Sequence, residues 1–99
     1  MIKKLRVCGI DYEVQLSNKL ISDHNAAGMC YPDSSLIEVS THCSPQAARM
    51  TLLHETLEAI CSHLNIEIEH HYIELLEAGL FQVIRDNPEF VKYITSKEK

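Results

Sequence analysis

The densest chemistry in the chain lies in His54-Glu55-Thr56-Leu57-Glu58, an HExxE pattern. Residues four apart on a helix share a face, so His54 and Glu58 can grip one ion. Glu55 is displaced by about 100° around the axis, toward the open side of such an ion. There a carboxylate can take a proton from water, as in the HExxH arrangement of zinc proteases. Carboxylate oxygen binds Zn²⁺ at much the same distance as imidazole nitrogen, so Glu58 can stand where that arrangement has a histidine. His70 interrupts the apolar stripe of the next helix and supplies a third ligand. The expected set is His54, Glu58 and His70 around Zn²⁺, with Glu55 as catalytic base. His71 is the understudy for His70, facing about 100° away.

Other polar residues rank lower. Glu74 and Glu77 follow His70 by one and two turns; either could back a metal ligand, but solvated glutamates are the expectation. His63 is expected on the surface and Cys61 in the core. His42-Cys43 precede the long helix, but adjacent residues rarely share an ion. The trio itself has a bland counterpart, a buried His–Glu hydrogen-bond network without metal.

Charge distribution reads first as a solvated acidic helix face and second as a setting for a bound cation. The chain holds nine Lys and Arg against fourteen Asp and Glu, a net charge of −5. Between Arg49 and Arg85 there is no Lys or Arg, while six glutamates and four of the six histidines lie there. Such a stretch makes a field that suits a divalent metal. The acidic balance argues against a nucleic-acid partner. No apolar run approaches the roughly 20 residues that span a bilayer, and no signal-peptide pattern opens the chain. A cytoplasmic setting follows as the expectation, with Cys8, Cys30, Cys43 and Cys61 as free thiols.

These residues need elements to hold them. The 99 residues make one domain, residues 1–99. Leu5 and Val7, then Ile10, Tyr12, Val14 and Leu16, alternate with polar residues and predict strands around a turn or bulge near Gly9-Ile10-Asp11. Residues 17–27 fit a helical turn or a loop. Pro32-Asp33-Ser34-Ser35 predicts a turn between strands, so residues 29–40 form a hairpin. Ser44-Pro45 opens a helix that Asn65 ends, with Ala47, Met50, His54, Leu57, Cys61 and Leu64 as its stripe. A second helix spans about Glu67 to Asp86, its inner stripe His70, Ile73, Leu76, Leu80 and Val83. Asn87-Pro88 starts a short third helix with Phe90, Val91 and Ile94 on its apolar side. Strands first and helices after predict an α+β domain: a small antiparallel sheet, two long helices and a short C-terminal one.

Leu52-Leu53-His54-Glu55-Thr56-Leu57-Glu58-Ala59-Ile60 resembles the active-site helix of the ImmA/IrrE-like zincin metallopeptidases. The stretch from Leu76 to Pro88 resembles the following helices of short members encoded by phages and prophages. The resemblance implies a minimal zincin core, with His54 a zinc ligand and Glu55 the general base. Glu58 stands where the family has its second histidine, and His70 falls about where its third, acidic ligand belongs. The departure is a swap of ligand types; a carboxylate ligand donates more charge and weakens the zinc as a Lewis acid. The implied function is a small metallopeptidase acting on a protein or peptide, with strand 36–40 pairing an extended substrate along its edge. The alternative is a non-catalytic binding or regulatory protein in which the metal, or a His/Glu network, is structural. The tail Phe90-Val91-Lys92-Tyr93-Ile94 offers a dimer contact.

Overall fold

Two hairpins begin the chain in the computed structural model, which describes residues 1–97. Strand β1, Lys4–Val7, turns into β2, Ile10–Ser17, and the register pairs Val7 with Ile10. The turn is therefore Cys8-Gly9, one residue earlier than expected. Both residues have positive φ, 49° and 83°, as the tight turns matched to strand twist require. Gly9 meets that demand without steric cost. A short helix α1, Leu20–His24, follows and is anchored by the buried Leu20. Strand β3, Gly28–Tyr31, and strand β4, Leu36–Ser40, form the second hairpin around the Pro32–Ser34 turn.

The sheet order is β1-β2-β4-β3. The hairpin pairs are antiparallel, and β2 with β4 is parallel, matching Val14 to Ile37. The α+β class holds, with one parallel seam inside the sheet. The seam corrects one expectation. Strand 36–40 has no free edge, because β4 is paired on both sides; the free edge of that hairpin belongs to β3.

Alternate residues of the strands bury one face under α2, Pro45–Leu64. The core is Val7, Tyr12, Ile37, Val39 and Ala59, with Leu52 and Ile60 packed against it. Ser44 caps α2, its Oγ accepting from the Ala47 amide at 3.2 Å, and Asn65 closes it in a left-handed conformation. Both helix signals work as expected. The inner face does not. The fully buried residues of α2 are Glu55 and Ala59, while Ala47 and Leu64 are exposed. The cause is that α2 lies between the sheet and a second helix. A helix buried on two sides has apolar residues most of the way round, so no single stripe stands out.

Helix α3, His70–Asp86, lies against α2. It starts three residues later than expected. Its buried line is Ile73, Glu77 and Phe81, at four-residue steps; the Glu77 side chain is only 12 % exposed. Leu76, Leu80 and Val83, expected inside, are exposed. Helix α4, Pro88–Ile94, begins at the expected place. The Asn87 side chain does not cap it but donates back to the Val83 carbonyl at 2.9 Å. Phe90 and Ile94 stay exposed, and only Val91 is half-buried.

Candidate metal centre

His54 and Glu58 stand one turn apart on α2, and His70 is the first residue of α3. One ligand atom of each lies within 4.8 Å of the others. The two imidazole rings meet edge to face, their centroids 4.8 Å apart. His70, rather than His71, completes the group. His71 turns away to Glu69 and the Tyr72 ring.

The donor set fits a divalent ion. Two imidazole nitrogens and a carboxylate oxygen are zinc ligands, and three such ligands leave a fourth position open. Tetrahedral bonds of 2.0–2.1 Å place ligands about 3.4 Å apart. The exposed side chain of His70 has the freedom to close the remaining gap.

Carboxylates meet both rings, and the shielded one orients His54. His54 Nδ1 donates to Glu77 Oε1 at 2.9 Å, and both side chains are only 12 % exposed. That bond places the proton on Nδ1 and leaves Nε2 as the lone-pair nitrogen. His70 Nε2 meets Glu74 Oε1 at 2.9 Å in the open. Glu77 is thus a shielded partner of His54 and not the solvated glutamate expected, whereas Glu74 pairs with His70 but stays in solvent, as expected. The signal that could have found Glu77 is its place four residues after Ile73, on the line that faces α2.

Glu55 points between α2 and β3 and is 7 % exposed. Burial pushes its carboxyl up to about 7; His54 opposes the rise, and Glu58 and Glu77 add to it. Gly28 on β3 allows this close packing. A Cβ there would lie 2.5 Å from Thr51 Cγ2 and 3.1 Å from Glu55 Cγ. Burial also pushes the Cys30 thiol of β3 up to about 11, helped by the charges of Glu55 and Glu58. Cys30 is thus held as the inert thiol beside the site.

A cleft of about 430 Å³ opens over the group, lined among others by Ala27, Gly28, Thr51, His54, Glu55 and His70. The start of β3 forms one wall, so the free sheet edge borders the cleft. Glu58 lines a separate depression with Cys61, Glu67, Glu69 and Ile73. The remaining candidates lie apart. The His63 ring bonds the buried Tyr12 hydroxyl at 2.6 Å, tying α2 to the sheet. His42 is exposed, Cys43 packs at the margin of the core, and all four cysteines are free. Among the described residues no helix is long and apolar enough to cross a membrane.

Comparison of the chain with protein-family models, curated proteins and solved structures returns no match.

Proposed function

We propose that this chain is a small zinc-dependent hydrolase, a metallopeptidase of the ImmA/IrrE-like zincin type. One observation carries the proposal: His54, Glu58 and His70 converge within 4.8 Å beside a cleft that Glu55 also lines. The HExxE stretch and its likeness to that family's active-site helix support it. Zinc held by the trio would supply Lewis acidity toward a water molecule and a carbonyl oxygen. Glu55 would take a proton from the water as its oxygen attacks the scissile carbonyl carbon. It would pass that proton to the leaving nitrogen as the C–N bond breaks, regenerating the carboxylate. A carboxyl raised to about 7 suits both steps near neutral pH. An extended peptide would pair with the free edge of β3, which borders the cleft. Four free thiols suit a reducing, cytoplasmic setting, and the short phage-encoded relatives that the sequence resembles suit a regulatory protein as substrate.

One observation favours a second reading. Glu58 lines a separate depression and not the cleft. In that arrangement the metal would fasten α3 to α2 in a non-catalytic binding protein.

Elemental analysis of the purified chain tests the metal, and a peptide-library digest tests the chemistry. About one zinc per chain is expected, lost in His54→Ala and His70→Ala. Glu55→Gln should keep the zinc and abolish cleavage. Zinc without cleavage in the unaltered chain would favour the fastening role. A chain that takes up no zinc after dialysis against it sinks both.

A further inference from the structure

The molecule exposes more surface than its mass requires. Its accessible area is 7276 Å², whereas a folded monomer of 11.3 kDa exposes roughly 5,700 Å². The difference, about 1,500 Å², exceeds the roughly 800 Å² that each partner buries in a standard interface. Among the described residues, five of the sixteen exposed large apolar side chains lie together on one side of α3. Tyr72, Leu76 and Val83 are 54 %, 50 % and 36 % exposed, with Leu75 and Leu80 beside them.

Tyr72, Leu76, Gly79 and Val83 follow one another by steps of four, three and four. That is the spacing of a seam between two helices. Gly79 is central to it. Glycine weakens a helix interior, and a Cβ at Gly79 would meet nothing within 4 Å in this chain. No contact among the described residues explains a glycine there, while the close approach of a second helix does. Gly79 also lies near the midpoint of α3, so a two-fold axis there would set it against the partner's Gly79.

Charge selects the occupant. The chain carries −5, so two copies repel over most of their surface. Between Glu69 and Asp86 at its two ends, the seam residues Tyr72, Leu75, Leu76, Gly79, Leu80 and Val83 bear no charge. An anionic membrane surface is a poor alternative, since α3 has no lysine and Arg85 as its one arginine. We propose that the Tyr72–Leu76–Gly79–Val83 face of α3 is the contact between two copies of this chain. Glu77 projects from the opposite side of the helix, so the dimer leaves the metal centre and its cleft open.

Light scattering at roughly 100 µM, above the micromolar dissociation constants of weak interfaces of this size, reads the outcome. The unaltered chain should have twice the monomer mass. Leu76→Glu and Val83→Glu should each be monomeric with an unchanged far-ultraviolet circular dichroism spectrum. In a Cys8→Ser background, mild oxidation should cross-link Gly79→Cys into a dimer and leave Ala78→Cys, about 100° away, as monomer. The cross-link answers the question even if a glutamate variant fails to fold. A monomer at this concentration, including one whose seam takes up vesicles or another protein, overturns the proposal. So does a dimer that survives both glutamate variants, or equal cross-linking at positions 78 and 79.

Discussion

At the scale of single residues, the pair His54–Glu77 governs the centre. Both side chains are shielded, so the bond is worth more than an exposed pair, and it fixes which nitrogen carries the proton. Glu77→Gln keeps the shape and an acceptor oxygen but removes the charge. Zinc affinity should fall by about 10- to 100-fold, measured by competition with a coloured chelator, while the thermal transition of the metal-free chain moves little. Glu55 gives a pH prediction for the metal-free chain. Its folded carboxyl, about 7, lies above the ordinary 4.5. The folded state therefore holds this proton more tightly than the unfolded one. The contribution to stability is complete below 4.5 and is lost as pH rises through about 7. Urea midpoints with chelator present should fall from pH 5 to pH 8, and Glu55→Gln should flatten that fall. The HExxE residues were legible in the sequence because four-residue spacing on a helix is independent of tertiary context. Glu77 was not, because its role depends on how α3 is rotated against α2, which spacing alone does not set.

Among elements, the contact between β3 and α2 decides the shape of the cleft. Gly28 permits it, since a Cβ would collide with Thr51 and crowd the Glu38 carbonyl, 3.1 Å away. Gly28→Ala should destabilise the chain by about 1–3 kcal/mol, the usual cost of overpacking, read from urea denaturation. It should also displace β3 from Glu55, seen as amide chemical-shift changes over residues 28–31. The ends of α2 were readable from Ser44 and Asn65, because caps are local chemistry. Its inner face was not, because sheet and helix claim opposite sides of it. The second hairpin was readable from its turn residues. The parallel seam between β2 and β4 was not, since nothing local in either strand names its distant neighbour.

Over the whole molecule, stability is unevenly shared. The core lies between the sheet and α2, whereas α3 buries only Ile73 fully and α4 buries no residue. The helix pair α3–α4 is thus the weakly held part, and His70 and Glu77 ride on it. Amide exchange should be faster in α3 than in α2 for the metal-free chain. Zinc at 100 times its dissociation constant should add about 2.7 kcal/mol, with the largest slowing in α3. Equal slowing everywhere would mean that α3 unfolds only with the core.

The seam between β2 and β4 has a consequence for the order of assembly. Each hairpin closes over a turn of a few residues, while the seam joins Val14 to Ile37 across α1 and β3. Closing that longer loop is the entropic hurdle of the sheet. All four strands lie before α2 begins, so the sheet can close while the later chain is still unstructured. The metal ligands and their carboxylate partners fall between residues 54 and 77. His54 and Glu58 come with α2, which the core requires, so the centre is completed only when α3 docks and brings His70 and Glu77, and loss of that docking leaves the sheet and α2 intact.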